Sequence, residues 1–367
     1  MTTNPVGLYL HIPFCEKKCR YCDFYSFSAD ENTKQAYVNE LIRRIDKYGE
    51  TLKCKADTLY IGGGTPSLLA PVQIERLVSE AKKVFLTDDA EITVEANPHS
   101  SLPEFLKAAA ASGVNRMSFG LQSSNENELR FLGRKATPAE LENAVKSAFS
   151  AGIENISADL MIGLEGQSES SLLKSAEFAL GLGVKHISAY ILKLEENTPL
   201  YKMRDCLALP DEDETANLYL SLCDYLTSKN TLQYEISNFS FRGFESRHNL
   251  KYWRCEEYLG IGASAHSFIN GRRFYFTRDI NAFLNGNEPV PDGDGGGEEE
   301  YIMLKLRLAQ GINFDEFEKR FSHPFDEKKK EKARLLKEKG LVNIDESGVS
   351  LTRNGFLLSN SVICELI

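Results

Sequence analysis

Three cysteines near the start of the chain constrain its function more than any other feature. Cys15, Cys19 and Cys22 are separated by three and then two residues, directly after an apolar segment. Three thiolates in one short loop can bind three irons of a [4Fe–4S] cluster, which leaves the fourth iron without a protein ligand. A cluster that only carries electrons is normally closed by four cysteines. The spacing therefore predicts a cluster that binds a substrate or cofactor at its open iron.

Zinc is the alternative metal for such a loop, because Cys-rich loops often form tetrahedral zinc sites. Structural zinc usually takes its ligands as two separated pairs, and no second Cys/His pair at suitable spacing follows in this sequence. The sequence therefore favours the cluster. The other five cysteines are scattered, and we expect most of them to be packing residues: Cys54, Cys206, Cys223, Cys255 and Cys364.

Composition bounds the class of protein. The 367 residues are 42% hydrophobic, which is enough for a sizeable core. No run of 18 apolar residues occurs, and the first residues lack a basic segment followed by an apolar one. We therefore expect no transmembrane helix, no secretory signal and a cytoplasmic location, where thiols stay reduced. The formal net charge of -10 disfavours non-specific binding of nucleic acid.

The first two thirds of the chain alternate short apolar segments with longer amphipathic helical patterns. Repeated βα units with right-handed crossovers give a parallel sheet, so the pattern predicts an α/β fold with a partial (β/α)6 TIM-type barrel. The predicted strands are Gly7–Ile12, Thr58–Ile61, Ile92–Glu95, Arg116–Gly120, Ile156–Met161 and His186–Leu192. The predicted helices are Thr33–Tyr48, Val72–Phe85, Leu102–Ala111, Pro138–Ala151, Ser170–Leu182 and Glu212–Ser228.

The last third of the chain has a different pattern. A further strand is predicted at Gln233–Ile236, and the glycine- and acid-rich run Pro291–Glu300 is typical of a linker. Three helical patterns and two short strands follow, which predicts a small winged-helix-like C-terminal domain. The predicted domains are 1–230 for the barrel core, 231–297 for a motif region with the linker, and 298–367 for the C-terminal domain.

A winged helix can bind duplex DNA, so the basic stretch Lys328–Lys339 is a candidate nucleic-acid site. Its lysines are interleaved with Glu331 and Glu338, which is typical of a solvated helix face. We therefore expect no nucleic-acid partner, and we expect the C-terminal domain to dock on the barrel or to cover the site.

Polar residues fall at the carboxyl ends of the predicted strands, where the chemistry of parallel barrels collects. The glycine run Gly62–Gly64 lets backbone groups approach a ligand closely, although it also suits a tight turn. Glu95 can accept hydrogen bonds from an amine or from ribose hydroxyls, while Arg134 can equally pair with a nearby acid. The sets expected on one face are the cysteine loop, the Gly62–Pro66 turn, Glu95, Gln122, Asp159 and Tyr190.

Three segments together resemble the oxygen-independent coproporphyrinogen III oxidase family of radical S-adenosylmethionine (SAM) proteins. They are Tyr9–Phe24, the Gly63–Pro66 turn and Asp159–Leu164, and the resemblance covers nearly the whole chain. It implies that Cys15, Cys19 and Cys22 bind the [4Fe–4S] cluster, which needs a reductant. It also implies a first SAM at Tyr9, Gly63, Glu95 and His266, and a second SAM at Tyr21, Gly64, Thr65, Gln122, Arg134, Asp159 and Tyr190.

Two departures from that family indicate which branch the chain resembles. The decarboxylases carry a further cysteine two residues after the third, and this chain has Phe24 there. They also carry a longer N-terminal extension before the first strand. In both respects the chain resembles the haem chaperones of the family. The resemblance thus implies haem as a ligand and an acceptor haemoprotein as partner, for which a membrane-associated protein is one candidate.

A second motif, His248-Asn-Leu-Lys-Tyr-Trp253, is similar to a segment associated with haem in those chaperones. A histidine can donate an axial nitrogen to haem iron, and Tyr252 and Trp253 can pack on the macrocycle. Arg247 can pair with a propionate, and Cys255 offers a thiolate as the alternative ligand. A single histidine among aromatic residues is also commonly a hydrogen-bonded core residue, so both interpretations stay open.

Two functions follow from the resemblance. The first is a haem chaperone that carries a SAM-bound cluster and passes haem to an acceptor haemoprotein. The second is an enzyme that oxidatively decarboxylates coproporphyrinogen III by radical chemistry from SAM. Phe24 in place of cysteine and the His248–Trp253 motif both favour the chaperone.

Overall fold

Six parallel strands in chain order form the centre of one large sheet. The structure is a computed structural model and describes residues 5–99 and 102–367. Within those residues the large sheet has twelve strands, and a second sheet has three. Residues 1–4, on which the expectation of no secretory signal partly rests, lie outside the described residues.

The strands and helices have the following bounds. The large sheet contains β1 (Val6–Ile12), β2 (Ala56–Gly63), β3 (Leu86–Ala96), β4 (Arg116–Gln122), β5 (Asn155–Ile162), β6 (His186–Ile191), β7 (Leu232–Gln233), β8 (Asn238–Ser240), β9 (Tyr258–Ile261), β10 (His266–Ile269), β11 (Arg272–Tyr275) and β12 (Val290–Asp294). The small sheet contains β13 (Ile312–Asn313), β14 (Val342–Ile344) and β15 (Gly348–Leu351). The helices are α1 (Glu31–Leu52), α2 (Pro71–Val84), α3 (Pro103–Ser112), α4 (Glu126–Leu132), α5 (Pro138–Ser150), α6 (Glu169–Gly181), α7 (Pro199–Lys202), α8 (Glu212–Ser228), α9 (Arg247–Trp253), α10 (Ile280–Leu284), α11 (Glu298–Lys305), α12 (Phe314–Phe321), α13 (Glu327–Glu338), α14 (Arg353–Leu357) and α15 (Ser359–Leu366).

The topology is that of a βα core with additions on both sides. Strands β1 to β6 pair in parallel and in chain order. Strand β9 adds in parallel to the free side of β1, and β10 to β12 continue antiparallel from there. Strands β8 and β7 extend the sheet beyond β6. The predicted fold class is confirmed.

Local sequence signals explain why the core helices begin and end where they do. The Asp30 side chain accepts a hydrogen bond from the third amide of α1, and Thr137 forms a reciprocal capping box with Glu140 at the start of α5. Gly113 ends α3 with φ of 108°, a conformation that a side chain would strain. No helix among the described residues is long and apolar enough to cross a membrane.

Two predictions in the last third of the chain are wrong. The strand predicted at Gln233–Ile236 is only the two-residue β7, and β8 follows it. The run Pro291–Glu300 is not a linker, because β12 pairs with β11 and α11 already begins at Glu298. All five residues of β12 are exposed, so this edge strand lacks the apolar alternation by which strands are recognised. Residues 231–297 as a whole contribute β7 to β12 to the large sheet.

The C-terminal part confirms the predicted winged-helix-like arrangement. Helices α12 and α13 are followed by the β14–β15 hairpin, and β13 completes the small sheet. This part contacts the segment between α9 and β9, where the Arg320 guanidinium donates to the Cys255 carbonyl at 3.3 Å. A second contact joins Arg353 to Thr227 of α8 at 2.7 Å.

One face of the parallel strands is polar. The register places the buried residues Thr58, Thr93, Arg116, Ser157 and His186 on the same side of β2 to β6; we call this side the inner face. Hydrogen bonds join Thr58, Ser157 and His186 to other elements, with Ser157 Oγ 2.7 Å from His186 Nδ1. The Thr93 hydroxyl and Arg116 Nε are buried without a hydrogen-bond partner among the described residues. The polar inner face is thus held in part by specific pairs.

Glu235, beside β8, is fully buried and titrates unusually. Burial raises its pKa to about 7, against the opposing effect of hydrogen bonds from Ser237, Asn238 and Trp253. Between its ordinary pKa of 4.5 and about pH 7, Glu235 therefore stays protonated in the folded chain, whereas it is ionised in the unfolded chain. The stability from this group is fully present below about pH 4.5 and is lost as the pH rises to about 7.

We predict that Glu235→Gln raises the free energy of unfolding by roughly 2 to 3 kcal/mol at about pH 8 and by little at about pH 4.5. The amide keeps the shape and the hydrogen-bonding capacity but never ionises. Urea denaturation of both proteins across this pH range measures the difference. Glu299→Gln, on the exposed side of α11, is the control for the substitution itself. An equal gain at both pH values for Glu235→Gln would contradict the assignment.

Candidate functional site

The cysteine loop, residues 13–30 between β1 and α1, is anchored at its ends and in its middle. The Cys15 amide donates to the Phe27 carbonyl at 2.9 Å, and the Phe27 amide donates to the Pro13 carbonyl at 2.9 Å. The Arg20 amide donates to the last residue of α4 at 3.0 Å. These backbone bonds fix the position of the cysteines without using their side chains.

All three loop cysteines are half-buried free thiols that line one cavity of about 630 Å³, which we call the first cavity. The Cys15 sulfur lies 3.3 Å from the Thr65 hydroxyl, and Arg134 donates to the Cys19 sulfur at 3.8 Å. Thiols that share an open cavity, with a cation beside one of them, fit ligation of an iron–sulfur cluster. The cavity also has the size of a small-molecule site.

The glycine run at the end of β2 lies directly against the cysteine loop. A Cβ atom on Gly63 would lie 2.5 Å from the His11 ring, and its φ of 117° already disfavours a side chain. A Cβ atom on Gly64 would lie 2.6 Å from the Phe14 carbonyl oxygen, and its amide donates to the Ile12 carbonyl at 2.8 Å. The run is therefore more than a tight turn, because close approach of two backbones requires it.

Two carboxyl groups, Glu95 of β3 and Asp159 of β5, line the first cavity. Glu95 accepts hydrogen bonds from the Tyr60 hydroxyl at 2.7 Å and from the Gly63 amide at 3.0 Å. Removal from water raises the pKa of Glu95, and it raises the pKa of Asp159 to about 7, with a further contribution from the Glu95 charge. Two carboxyl groups held in this way can accept hydrogen bonds from a cationic or hydroxyl-bearing ligand.

The first cavity brings together most of the residues that the sequence predicted for binding. Arg134 also donates to the Gly120 carbonyl, so it is held by backbone and thiol rather than by an acid alone. Gln122 has a φ of 68°, and Tyr190 is 43% exposed. The predicted residues that line this cavity are Cys15, Cys19, Tyr21, Cys22, Gly63, Gly64, Thr65, Glu95, Gln122, Arg134, Asp159 and Tyr190.

Tyr9 and His266 do not line the first cavity. They line an adjacent space of about 340 Å³, which we call the second cleft, together with Tyr252. The two spaces share Asp23 and Phe24 of the cysteine loop, which therefore forms the wall between them. Phe24 is 68% exposed, so an aromatic ring lies at the rim where the decarboxylases carry a cysteine.

His248 lies in α9 against the inner face and is 1% exposed. Its Nδ1 lies 2.8 Å from the Thr58 hydroxyl, and its Nε2 lies 2.8 Å from the Tyr252 hydroxyl. Burial lowers its pKa to about 3, so the ring is neutral. Ligation of haem iron by His248 stays a prediction, but it requires one of these two hydrogen bonds to break.

The other residues near this motif have structural partners. The Trp253 side chain lies beside the Glu235 carboxyl, and the Arg307 guanidinium lies 5.7 Å from the Trp253 ring centroid. Arg247 donates to the Asp89 carbonyl at 2.9 Å. Cys255 is buried and accepts a hydrogen bond from Arg320 at 3.7 Å. Of the motif residues and Cys255, only Tyr252 lines either space.

Sequence reasoning missed His11 and Tyr60. His11 is buried, with Nδ1 3.0 Å from the Tyr9 hydroxyl and Nε2 3.1 Å from the Tyr25 carbonyl, so it braces the cysteine loop. Tyr60 positions Glu95. The available signal was the alternation along β1 and β2, which places Tyr9, His11 and Tyr60 on the inner face.

Comparisons with known proteins agree with this geometry. The model of the radical SAM superfamily matches residues 9–179, and that of the HemN C-terminal domain matches residues 299–358. The "Heme chaperone HemW" of Lactococcus lactis is 36% identical over 99% of this chain and 97% of its own. The proteins of the same name from Bacillus subtilis and Escherichia coli are also 36% identical, over 96% and 85% of this chain and 97% and 85% of their own.

Among solved structures, coproporphyrinogen III oxidase (HemN) from Escherichia coli, described as a radical SAM enzyme, superimposes with a TM-score of 0.83. The match covers 99% of this chain and 90% of that one at 22% identity, so it supports the fold alone. Together with the cysteine loop, these matches define a radical SAM protein. Within that superfamily, the chain belongs to the HemW family.

We predict that Gly63→Ala destabilises the protein more than Gly166→Ala. Both glycines have positive φ, but a Cβ atom on Gly166 would meet nothing within 4 Å, whereas one on Gly63 would collide with His11. The conformational cost alone is about 1 to 2 kcal/mol, which Gly166→Ala measures. Gly63→Ala should exceed it in urea denaturation and should also bind less iron after anaerobic reconstitution. Equal stability and iron content in the two variants would show that the glycine run is only a turn.

Proposed function

We propose that this protein is a haem chaperone, which binds haem and passes it to an acceptor haemoprotein while carrying a SAM-bound [4Fe–4S] cluster. The observation that carries the proposal is the lining of the first cavity. Cys15, Cys19 and Cys22 are the cysteines that line it within the described residues, and Phe24 occupies the rim. The names of relatives that are 36% identical over almost the whole chain support the same function.

The three cysteines would hold the cluster, and the surrounding residues fit it. When bound, the cluster would offer one open iron to SAM and serve as the source of an electron. The anchored loop presents its thiols to the cavity, and the Arg134 guanidinium beside Cys19 favours the thiolate form that ligation needs. Gly64 allows the β2 turn to approach the loop closely enough to shape this part of the cavity.

SAM would lie beside the cluster in the first cavity. Its ammonium and ribose hydroxyl groups are donors, and Glu95 is held by Tyr60 and the Gly63 amide with acceptor capacity remaining on its oxygens. Gln122, Arg134, Asp159 and Tyr190 would bind a second SAM molecule, whose carboxylate needs donors such as those of Arg134 and Gln122. These roles rest on shared lining and complementary chemistry.

Haem is the cargo in this proposal, and a haemoprotein is the acceptor. A chaperone must release what it binds, so its haem site should be open to the surface rather than enclosed. The second cleft, beside the cysteine loop, meets that requirement, since Phe24 and His266 on its walls are exposed. A reductant for the cluster would complete the set of partners.

We predict that anaerobically reconstituted protein binds about four irons and one haem, and does not turn over coproporphyrinogen III. Cys15→Ala should abolish the cluster, because three ligands leave no spare. Cys54→Ala is the matched control, since Cys54 is half-buried like Cys15 but lies away from the first cavity. Iron analysis, haem titration and chromatography of porphyrin products on the same sample measure the three quantities.

Three outcomes would contradict parts of the proposal. Multiple turnovers of coproporphyrinogen III to protoporphyrinogen IX would identify a decarboxylase. Absence of haem binding by protein with an intact cluster would remove the cargo. Loss of the cluster in Cys54→Ala but not in Cys15→Ala would show that the ligands are assigned wrongly.

A further inference from the structure

Two histidines, His11 and His266, line the second cleft, and a third, His248, lies behind its Tyr252 wall. His11 and His248 each have both nitrogens within 3.1 Å of a hydrogen-bonding partner and are almost fully buried. His266 is exposed, and its nitrogens have no hydrogen-bond partner in the part of the chain that the structure describes. A nitrogen that ligates iron must have a free lone pair, so His266 is the histidine of this cleft that is ready to do so.

The position of His266 is fixed without hydrogen bonds. Its ring stacks on Tyr275 of the neighbouring strand, with centroids 5.2 Å apart and an interplanar angle of 22°. The backbone beneath it is tightly packed, because a Cβ atom on Gly260 would lie 2.1 Å from the His266 carbonyl oxygen. An imidazole that is oriented by stacking keeps both nitrogens available to a ligand.

The walls of the second cleft are aromatic, which suits a flat, largely apolar macrocycle. Phe24 and Tyr25 come from the cysteine loop, and Tyr252 and Tyr258 come from α9 and β9. Tyr252 and Tyr258 pack edge to face with centroids 4.5 Å apart, which stiffens that wall. The 68% exposure of Phe24 is unusual for a large apolar side chain and leaves its ring free to cover a bound ligand.

A cation lies at the same cleft. The Arg278 side chain is about half exposed and lines the space. One of its Nη atoms donates to the Asp23 carbonyl at 2.7 Å, while the Asp23 carboxylate lies 3.8 Å from the other. A guanidinium has five N–H donors, so several remain for a carboxylate such as a haem propionate.

From these contacts we propose that haem binds in the second cleft, with His266 as the axial ligand of its iron and Arg278 as the partner of a propionate. The proposal rests on the haem chaperone function and specifies its site. The tyrosines of the cleft are poorer ligands, because burial raises the pKa of Tyr9 and of Tyr252 and so disfavours the phenolate.

The His248–Trp253 motif then has a positioning role. The His248 ring is fixed by Thr58 and in turn holds the Tyr252 hydroxyl at 2.8 Å, so it sets the orientation of one aromatic wall. The Trp253 side chain at the end of α9 lies beside Glu235, in the segment between β7 and β8. The motif would therefore shape the haem site without supplying the iron ligand.

The test is a titration of the full-length protein with ferric haem, followed by absorption and electron paramagnetic resonance spectroscopy. His266→Ala should lose the imidazole-ligated spectrum. It should also bind haem about tenfold more weakly or worse, because even residues that only support a ligand typically contribute that much affinity. Free imidazole added to this variant should restore the wild-type spectrum. His323→Ala, which removes a half-exposed histidine between α12 and α13, is the matched control and should behave as wild type.

His248→Ala should keep the imidazole-ligated spectrum, since in this proposal it only loosens Tyr252. Arg278→Gln should weaken the affinity for haem without changing the spectrum. If His266→Ala fails to fold, this variant tests whether haem binds in the second cleft. An unchanged spectrum in His266→Ala, or its loss in His248→Ala alone, would overturn the proposal. So would a His266→Ala protein that loses only the SAM-induced change in the cluster spectrum. Failure of the wild type to bind haem would instead contradict the chaperone function itself.

Discussion

The anchoring of the cysteine loop is the constraint on which both ligand spaces depend. Backbone hydrogen bonds between Cys15, Phe27 and Pro13 close the base of the loop, and His11 Nε2 donates to the Tyr25 carbonyl at 3.1 Å on one side of it. The α4 terminus holds the middle, and Arg278 holds the far side through the Asp23 carbonyl. A loop fixed at several points presents three thiols to the first cavity and Phe24 to the second cleft.

The later strands and α9 build the second half of this arrangement. Strand β9 pairs in parallel with β1, so β10 carries His266 to the side of the cysteine loop opposite the first cavity. The C-terminal part is connected to the same region, since Arg320 reaches the carbonyl of Cys255 and Arg307 lies over Trp253. The winged-helix-like part therefore supports α9, and through Tyr252 it supports one wall of the cleft.

The sequence predicted the parallel core and the first cavity well, because strong periodicity and strand-end motifs report on local structure. The helical patterns located the core helices, and the polar strand ends converge as parallel pairing requires. It did not predict β8 to β12, which are five residues or shorter and of which β12 is fully exposed. The state of His248 was also beyond sequence reasoning, since its partners Thr58 and Tyr252 lie 190 and 4 residues away.

The most direct test of this account asks whether cluster and porphyrin bind on the two sides of one loop. Protein with a reduced [4Fe–4S] cluster is loaded with cobalt(II) protoporphyrin, which is paramagnetic under the same conditions. The spin relaxation of the cobalt is then measured by pulsed electron paramagnetic resonance. We expect faster relaxation than in the Cys15→Ala protein, which lacks the cluster, because Asp23 and Phe24 line both spaces. Identical relaxation in the two proteins would contradict the shared-wall arrangement and place the porphyrin elsewhere.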